Sequence, residues 1–145
     1  MMNILQIGIS VFVFIEFLNI MMLYFMPGSK MGNGVGVFND YHILNENKDT
    51  QAFVGYLINW VAGAKLIFVM IGIVVVIFGN YNTQLYTVVA LIISILSFYW
   101  RLFPTIKKLD KQDKISPKGY YKTLNTMILS FVIGFSLILM FSIIA

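Results

Sequence analysis

Apolar residues are arranged in four long blocks along this chain, and short polar segments separate the blocks. The blocks cover Ile4–Phe25, Phe53–Phe78, Gln84–Phe103 and Thr123–Ala145. Each block reaches the roughly 20 residues that an α-helix needs to cross the ~30 Å hydrocarbon core of a bilayer. The pattern therefore predicts an all-α integral membrane protein, an antiparallel four-helix transmembrane bundle that forms a single membrane domain over residues 1–145.

Composition supports this fold class and excludes several kinds of site. The chain is 59% hydrophobic and only 11% charged, which is too little charge to cover the surface of a soluble domain. It has no cysteine, so disulfides, thiolate metal sites and cysteine nucleophiles are excluded. We expect the first block to remain as a membrane span rather than a cleaved signal peptide, because no basic residue precedes it and it contains Glu16.

Basic residues predict the orientation of the spans. Seven of the ten lie close together in the sequence: Arg101, Lys107, Lys108, Lys111, Lys114, Lys118 and Lys122. Short loops rich in Lys and Arg stay in the cytoplasm. With four spans, loop one (26–52) and loop three (104–122) share a side, so we expect both to be cytoplasmic and both termini extracytoplasmic, in the cell membrane.

The net charge of +4 is concentrated in loop three and is interpreted as a topology signal beside anionic headgroups. The alternative for loop three is a partner-binding or regulatory role. Because this location explains the basic charge, we expect no binding to nucleic acid.

Two charged residues, Glu16 and Lys65, lie inside predicted spans. A charge near the bilayer centre costs at least ~2.5–3.5 kcal/mol, so such residues usually face protein or water and have partners. Glu16 lies about 14 Å from the Phe25 end of its helix and Lys65 about 18 Å from the Phe53 end of the next, by helical rise. These similar depths predict an ion pair. It is either a structural pair or a proton, ion or substrate site; alternatively, Lys65 is shallow enough for its ammonium to reach water.

Span three carries a stripe of small and polar residues, here called the seam. Its members recur at spacings of three and four: Thr83, Thr87, Ala90, Ser94, Ser97 and Arg101. Small residues let helix backbones approach closely, and hydroxyls can form hydrogen bonds between helices. We therefore expect the seam to pack against another helix; the alternative is a polar lining for a transport pathway. Span four has a shorter stripe of Thr126, Ser130 and Gly134.

Helical spacing also places Asn19 on the face of Glu16, whereas Asn59 lies ~120° around its helix from Lys65. These polar positions and the seam supply the candidate pathway residues, which are Glu16, Asn19, Asn59, Lys65, Thr87, Ser94, Ser97 and Arg101.

Loop one is rich in glycine, which allows positive φ angles: Gly28, Gly32, Gly34 and Gly36. It lacks a preceding strand and a following Lys-Ser or Lys-Thr pair, so it is neither a P-loop nor a dinucleotide fingerprint. We interpret it as a flexible turn. The alternatives are an anion-binding loop or an interfacial segment that dips Met31, Val35, Val37 and Phe38 into the membrane.

The residues that could do catalytic chemistry are few. The chain has one histidine, and no serine–histidine–acid set, HExxH helix or pair of catalytic carboxylates is evident. Loop-one residues Asp40, His42, Glu46 and Asp49 match no metal motif. We therefore expect no metal and no cofactor, and an enzyme is the least favoured class.

Three functions remain open. The favoured one is an oligomeric channel or transporter with Glu16 and Lys65 at its centre. The second is an accessory or scaffold subunit of a larger membrane complex, and the third is a membrane enzyme that acts on lipid through loops one and three. In each case the expected partners are the lipid bilayer and either further copies of this chain or other membrane subunits.

Overall fold

The computed structural model describes residues 2–31, 34–43 and 47–144, and these residues form helices joined by short turns. The helices are α1 (Ile4–Phe25), α2 (Asn39–Ile43), α3 (Lys48–Phe78), α4 (Tyr81–Leu96), α5 (Leu102–Lys111) and α6 (Tyr120–Ile144), with 3₁₀ turns at Val35–Val37 and Ser97–Tyr99. Four helical stretches are long and apolar enough to cross a membrane: α1, α3, α4 continued through α5, and α6. The all-α prediction is therefore confirmed.

Polar caps fix where the first two long helices begin. The Asn3 side chain accepts a hydrogen bond from the Gln6 N–H, while the Gln6 side chain accepts one from the Asn3 N–H, which is a capping box. Helix α3 begins at Lys48, before the apolar block, because the Asn47 side chain accepts hydrogen bonds from the N–H groups of the first turn.

The third predicted span, Gln84–Phe103, lies within the stretch Tyr81–Lys111, but a 3₁₀ turn interrupts the helix there. Helix α4 ends at Leu96, and the chain then passes through the 3₁₀ turn before α5 begins at Leu102. Pro104 lies in the first turn of α5, where its missing N–H has no intrahelical partner to lose, whereas inside a continuous helix it would break a hydrogen bond. The predicted loop 104–122 therefore contains most of α5.

Helix α1 is the centre of the packing. It contacts α3, α4 and α6, and it supplies half of the buried residues of the main hydrophobic core. Glycines allow two of these contacts to be close. A Cβ on Gly8 would lie 2.6 Å from Ile138 Cδ1, and one on Gly72 would lie 2.5 Å from Val13 Cγ2. A larger residue at either position would therefore require the facing side chain to shift at the observed helix spacing.

Where two consecutive long helices contact each other near their ends, the start of one helix lies beside the end of the other. Gln6 Nε2 donates to the Val76 carbonyl at 3.1 Å, near the short turn between α3 and α4. At the end of the bundle that carries loops one and three, the Tyr99 hydroxyl donates to Asn125 Oδ1 at 2.9 Å. This end is called the loop end below.

Loops one and three pack against each other at the loop end. The Asn39 N–H donates to the Lys114 carbonyl at 2.9 Å, and the Ser116 N–H donates to the Val37 carbonyl at 2.8 Å. A second hydrophobic cluster joins the two loops to α5 and α6, and its buried members are Val37, Ile106, Ile115 and Tyr120. Loops one and three therefore lie at the same end, as expected, and Val37 is buried in protein instead of dipping outward.

The loop-one glycines serve close backbone approach rather than unusual φ angles. Gly34 has φ −62°, and among the described glycines only Gly119 has a positive φ, at +86°. A Cβ on Gly34 would collide with the Ser29 carbonyl, and one on Gly36 would collide with the Gly28 carbonyl. The freedom to adopt positive φ is therefore not used at Gly28, Gly34 or Gly36, and Gly32 lies outside the described residues.

Candidate ligand-binding groove

The predicted ion pair between Glu16 and Lys65 is present. Lys65 Nζ lies 2.6 Å from Glu16 Oε2, and the side chains are 23% and 15% exposed for Lys65 and Glu16 respectively. Lys65 lies on the inner face of α3, on the stripe that buries Ile58, Ala62 and Gly72. The ammonium therefore points to a carboxylate inside the bundle instead of extending toward the end of the helix.

The pair is isolated from other charges. Glu16 is the sole charged residue of α1, α4 has none, and α6 has none after Lys122. Because the two charges compensate each other, the pair as a whole is neutral, and removal of one member would leave the other uncompensated in apolar surroundings.

A groove of about 670 Å³ begins at Lys65 and extends toward the loop end. Its walls come from α1, α3, α4, α5 and α6, and loop one closes one end through Val35, Val37 and Phe38. On α3 the lining extends from Val54 to Lys65, which corresponds to about 16 Å of helix. Most lining side chains are apolar, and Lys65 supplies the positive charge.

Helices α3 and α4, which both line the groove, make few contacts with each other, whereas α1 packs extensively against α3. Leu57 and Val61 on the α3 wall are 39% and 44% exposed. On the α4 wall, Ser94 and Ser97 are also exposed. The groove therefore opens sideways between these two helices. At the loop end, it is closed by loop one.

Most of the seam packs against no other helix within the described residues of this chain, so its expected packing against a helix stays a prediction. Helix α4 buries Gln84, Val88 and Leu91, whereas most of the seam is exposed. Two of its hydroxyls form hydrogen bonds to nearby backbone carbonyls: Thr87 Oγ1 to the Thr83 carbonyl at 2.7 Å and Ser97 Oγ to the Ser94 carbonyl at 2.6 Å. These two hydroxyls are therefore already paired without a neighbouring helix.

The structure brings together only part of the predicted site. Ser94 and Ser97 line the groove with Lys65, and Glu16 lies beside it through the ion pair. Asn59 instead lines a separate cavity of about 280 Å³, together with Tyr24 and Tyr41.

The other candidate residues line neither cavity. Asn19 is half-buried on α1, and Thr87 is half-buried on α4. Arg101 is exposed in the turn between α4 and α5, with its guanidinium carbon 5.5 Å from the Trp100 ring centre. Of the loop-one residues considered for metal binding, Glu46 and the side chain of His42 lie outside the described part of the chain.

Sequence analysis missed two buried polar residues. Gln84 is 1% exposed; it donates to the Gly79 carbonyl and accepts from Asn3 Nδ2, both at 2.8 Å. Asp110 is 4% exposed and accepts a hydrogen bond from the Gly119 N–H at 2.7 Å. Gln84 shares a helical face with Val88 and Leu91, which is a signal that could have identified it.

Loop three has a local ion pair that is separate from the groove. Lys118 Nζ lies 2.7 Å from Asp113 Oδ1, and both side chains are largely exposed. The hydrogen bond and the negative charge of Asp113 raise the pKa of Lys118. Because solvent screens an exposed pair, it contributes little to stability.

Comparison of the chain with protein families, with curated proteins and with solved structures gives no match. The groove and its ion pair are therefore the basis for assigning a function.

Proposed function

We propose that this chain crosses the cell membrane as an antiparallel four-helix bundle, with loops one and three cytoplasmic and both termini extracytoplasmic. The outer surface supports membrane insertion, since only 11% of the most apolar window of α3 and 6% of that of α6 are buried within the chain. Apolar surfaces of this extent are stable in lipid but not in water. The orientation follows from the basic residues of loop three, which loop one contacts directly.

Within that membrane, the protein is proposed to be a transporter for a lipophilic molecule that enters from the bilayer. The observation that carries this proposal is the groove, which is open between α3 and α4 and ends at the Glu16–Lys65 pair. An apolar lining with one polar contact point is typical of sites for small lipophilic ligands. A hydrated ion is less well supported, because conduction requires oxygen atoms or charges along the pathway to replace water.

Transport also requires access from both sides, and a bundle of four helices is thin. We propose that further copies of this chain complete the pathway, using exposed surfaces such as the seam and the small stripe of α6. Nothing lies within 4 Å of a Cβ built on Gly134, so that stripe has room for a second helix. The same observation favours the second candidate function, an accessory subunit whose α6 binds another membrane protein.

Movement of an uncharged fluorescent lipid across reconstituted vesicles would test the transporter. The probe is an alkyl chain with an NBD group, and an impermeant reductant quenches the probe in the outer leaflet. We expect the parent protein to accelerate exchange between leaflets. Val61→Trp should slow it, because the indole fills the side opening of the groove.

Ile67→Trp is the matched control, because this residue is 65% exposed on the same helix and lies outside the groove lining. It should exchange the probe as the parent does. Correctly folded protein that neither binds nor moves the probe would favour the accessory-subunit function.

A further inference from the structure

We infer that the molecule bound in the groove is a long-chain carboxylic acid, whose carboxylate binds Lys65 while Glu16 receives its proton. This inference rests on the proposed function and names the substrate class of the same groove. The polar group of the ligand is inferred from which member of the ion pair lines the groove and which does not.

Lys65 faces the groove, whereas Glu16 is not among the residues that line it. A ligand that fills the groove therefore meets the ammonium and not the carboxylate. The ammonium has three N–H donors, and Glu16 lies at 2.6 Å on one side. A carboxylate is the ligand group that binds such a donor most strongly, because both partners of the hydrogen bond are then charged.

A second carboxylate beside Lys65 would leave an uncompensated negative charge unless a proton accompanies it. A fatty acid within lipid carries that proton on its own carboxyl group. On binding, the acidic O–H bond breaks, the proton passes to a Glu16 carboxylate oxygen, and the ligand carboxylate takes the place of Glu16 beside Lys65. One carboxylate and one ammonium are present before and after the exchange, so no net charge is buried.

Helices α1, α3, α4 and α6 offer no other acceptor for this proton near the pair. Besides Glu16, these helices contain one acidic residue, Asp49, at the far end of α3, and Asp110 of α5 lies at the loop end, where it accepts a hydrogen bond from Gly119. The basic residues Lys48 and Lys122 lie in the first turns of α3 and α6, at the loop end. Glu16 and Lys65 are therefore the two charged groups that the ligand head can reach at the inner end of the groove.

Ligands with other head groups fit the site less well. An alkyl amine would be repelled by the Lys65 ammonium, which lies between the groove and Glu16. A fatty alcohol could accept a hydrogen bond from Lys65 but would add no charge to it. We therefore expect the acid to bind more tightly than the alcohol of equal chain length, and the amine to bind least.

Three photoreactive probes with the same alkyl chain, ending in an acid, an alcohol or an amine, would test this order. The full-length protein is placed in nanodiscs, labelled under light, and the modified peptides are identified by mass spectrometry. We expect the acid probe to label groove residues such as Leu57, Val61 and Ile95. An excess of palmitic acid should compete with it.

The test variant is the double substitution Glu16→Gln with Lys65→Met, which removes both charges together and leaves neither uncompensated. Labelling by the acid should fall by about tenfold or more, because a charge-assisted hydrogen bond is lost. Labelling by the alcohol should fall less than labelling by the acid, because the alcohol loses a hydrogen bond without a charge on its own side. The control is Lys48→Met, which removes an exposed lysine of the same helix and should leave all labelling as in the parent.

Infrared difference spectra on addition of isotope-labelled palmitic acid test the proton transfer. The parent should gain an unlabelled protonated-carboxyl band, and Glu16→Gln should not. Absence of this band in a parent that binds the acid would overturn the proton exchange.

Equal labelling by acid and alcohol, or acid labelling that survives in the double variant, would overturn the substrate class and leave the lipophile-binding groove intact. Failure of all three probes to label the groove would overturn the proposed function as well.

Discussion

Removing one member of the Glu16–Lys65 pair should destabilise the protein more than removing both. Lys65→Met leaves a carboxylate without its cation, and Glu16→Gln leaves an ammonium without its anion. The double variant has neither charge, and its two side chains are of similar size to the originals. The prediction is therefore a strong coupling between the two positions.

The magnitude follows from the geometry of the pair. Breaking a fully buried ion pair costs ~3–5 kcal/mol. Here the Nζ–Oε2 distance is 2.6 Å, but the side chains remain 23% and 15% exposed, so the costs should be smaller. We expect ~2–3 kcal/mol for Lys65→Met and ~1–2 kcal/mol for Glu16→Gln, because Gln still accepts a hydrogen bond. The double variant should lose only ~1 kcal/mol, which gives a coupling of at least ~2 kcal/mol.

Unfolding in mixed micelles of increasing SDS content, followed by the fluorescence of the two tryptophans, would measure these free energies. Lys65→Arg is the control that keeps the charge, and it should remain close to the parent. If the stability losses of the two single variants sum to that of the double variant within ~0.5 kcal/mol, the two residues are independent and the predicted coupling is refuted.

Three further predictions concern other parts of the chain. Gly72→Ala should destabilise the protein by ~1–3 kcal/mol in the same assay, because the added Cβ contacts Val13 of α1 too closely. Gly134→Ala is the control; its Cβ meets open space, so it should be neutral or stabilising. Equal effects of the two substitutions would contradict close packing of α3 against α1 at Gly72. A cysteine at Lys114 should react with an impermeant reagent only from the cytoplasmic side of oriented vesicles, and labelling from outside would contradict the proposed topology. Because Asp113 raises the pKa of Lys118, the contribution of their pair is present at neutral pH and is lost as pH rises above the usual lysine range; Asp113→Asn should lower the pKa of Lys118 in an NMR titration, and an unchanged value would exclude Asp113 as the cause.

The sequence by itself predicted the features that depend on helical geometry along one chain. The apolar blocks gave the four long helices, since length and hydropathy are local properties. The pairing of Glu16 with Lys65 was also predictable, because the rise per residue places both at similar depths in consecutive helices. The same periodicity placed Asn59 and Lys65 on different sides of α3.

Only the tertiary structure decided which surfaces meet. The seam of α4 has the composition of a packing face, yet within this chain α4 buries the face of Gln84, Val88 and Leu91 instead. The groove could not be predicted, since it depends on the gap between α3 and α4 and on how loop one closes its end. Asn59 and Lys65 are six residues apart on one helix, but they face different cavities because neighbouring helices cover different sides of α3. Local patterns specify which residues share a helix face, whereas the packing of all helices together determines which face becomes a wall of the groove.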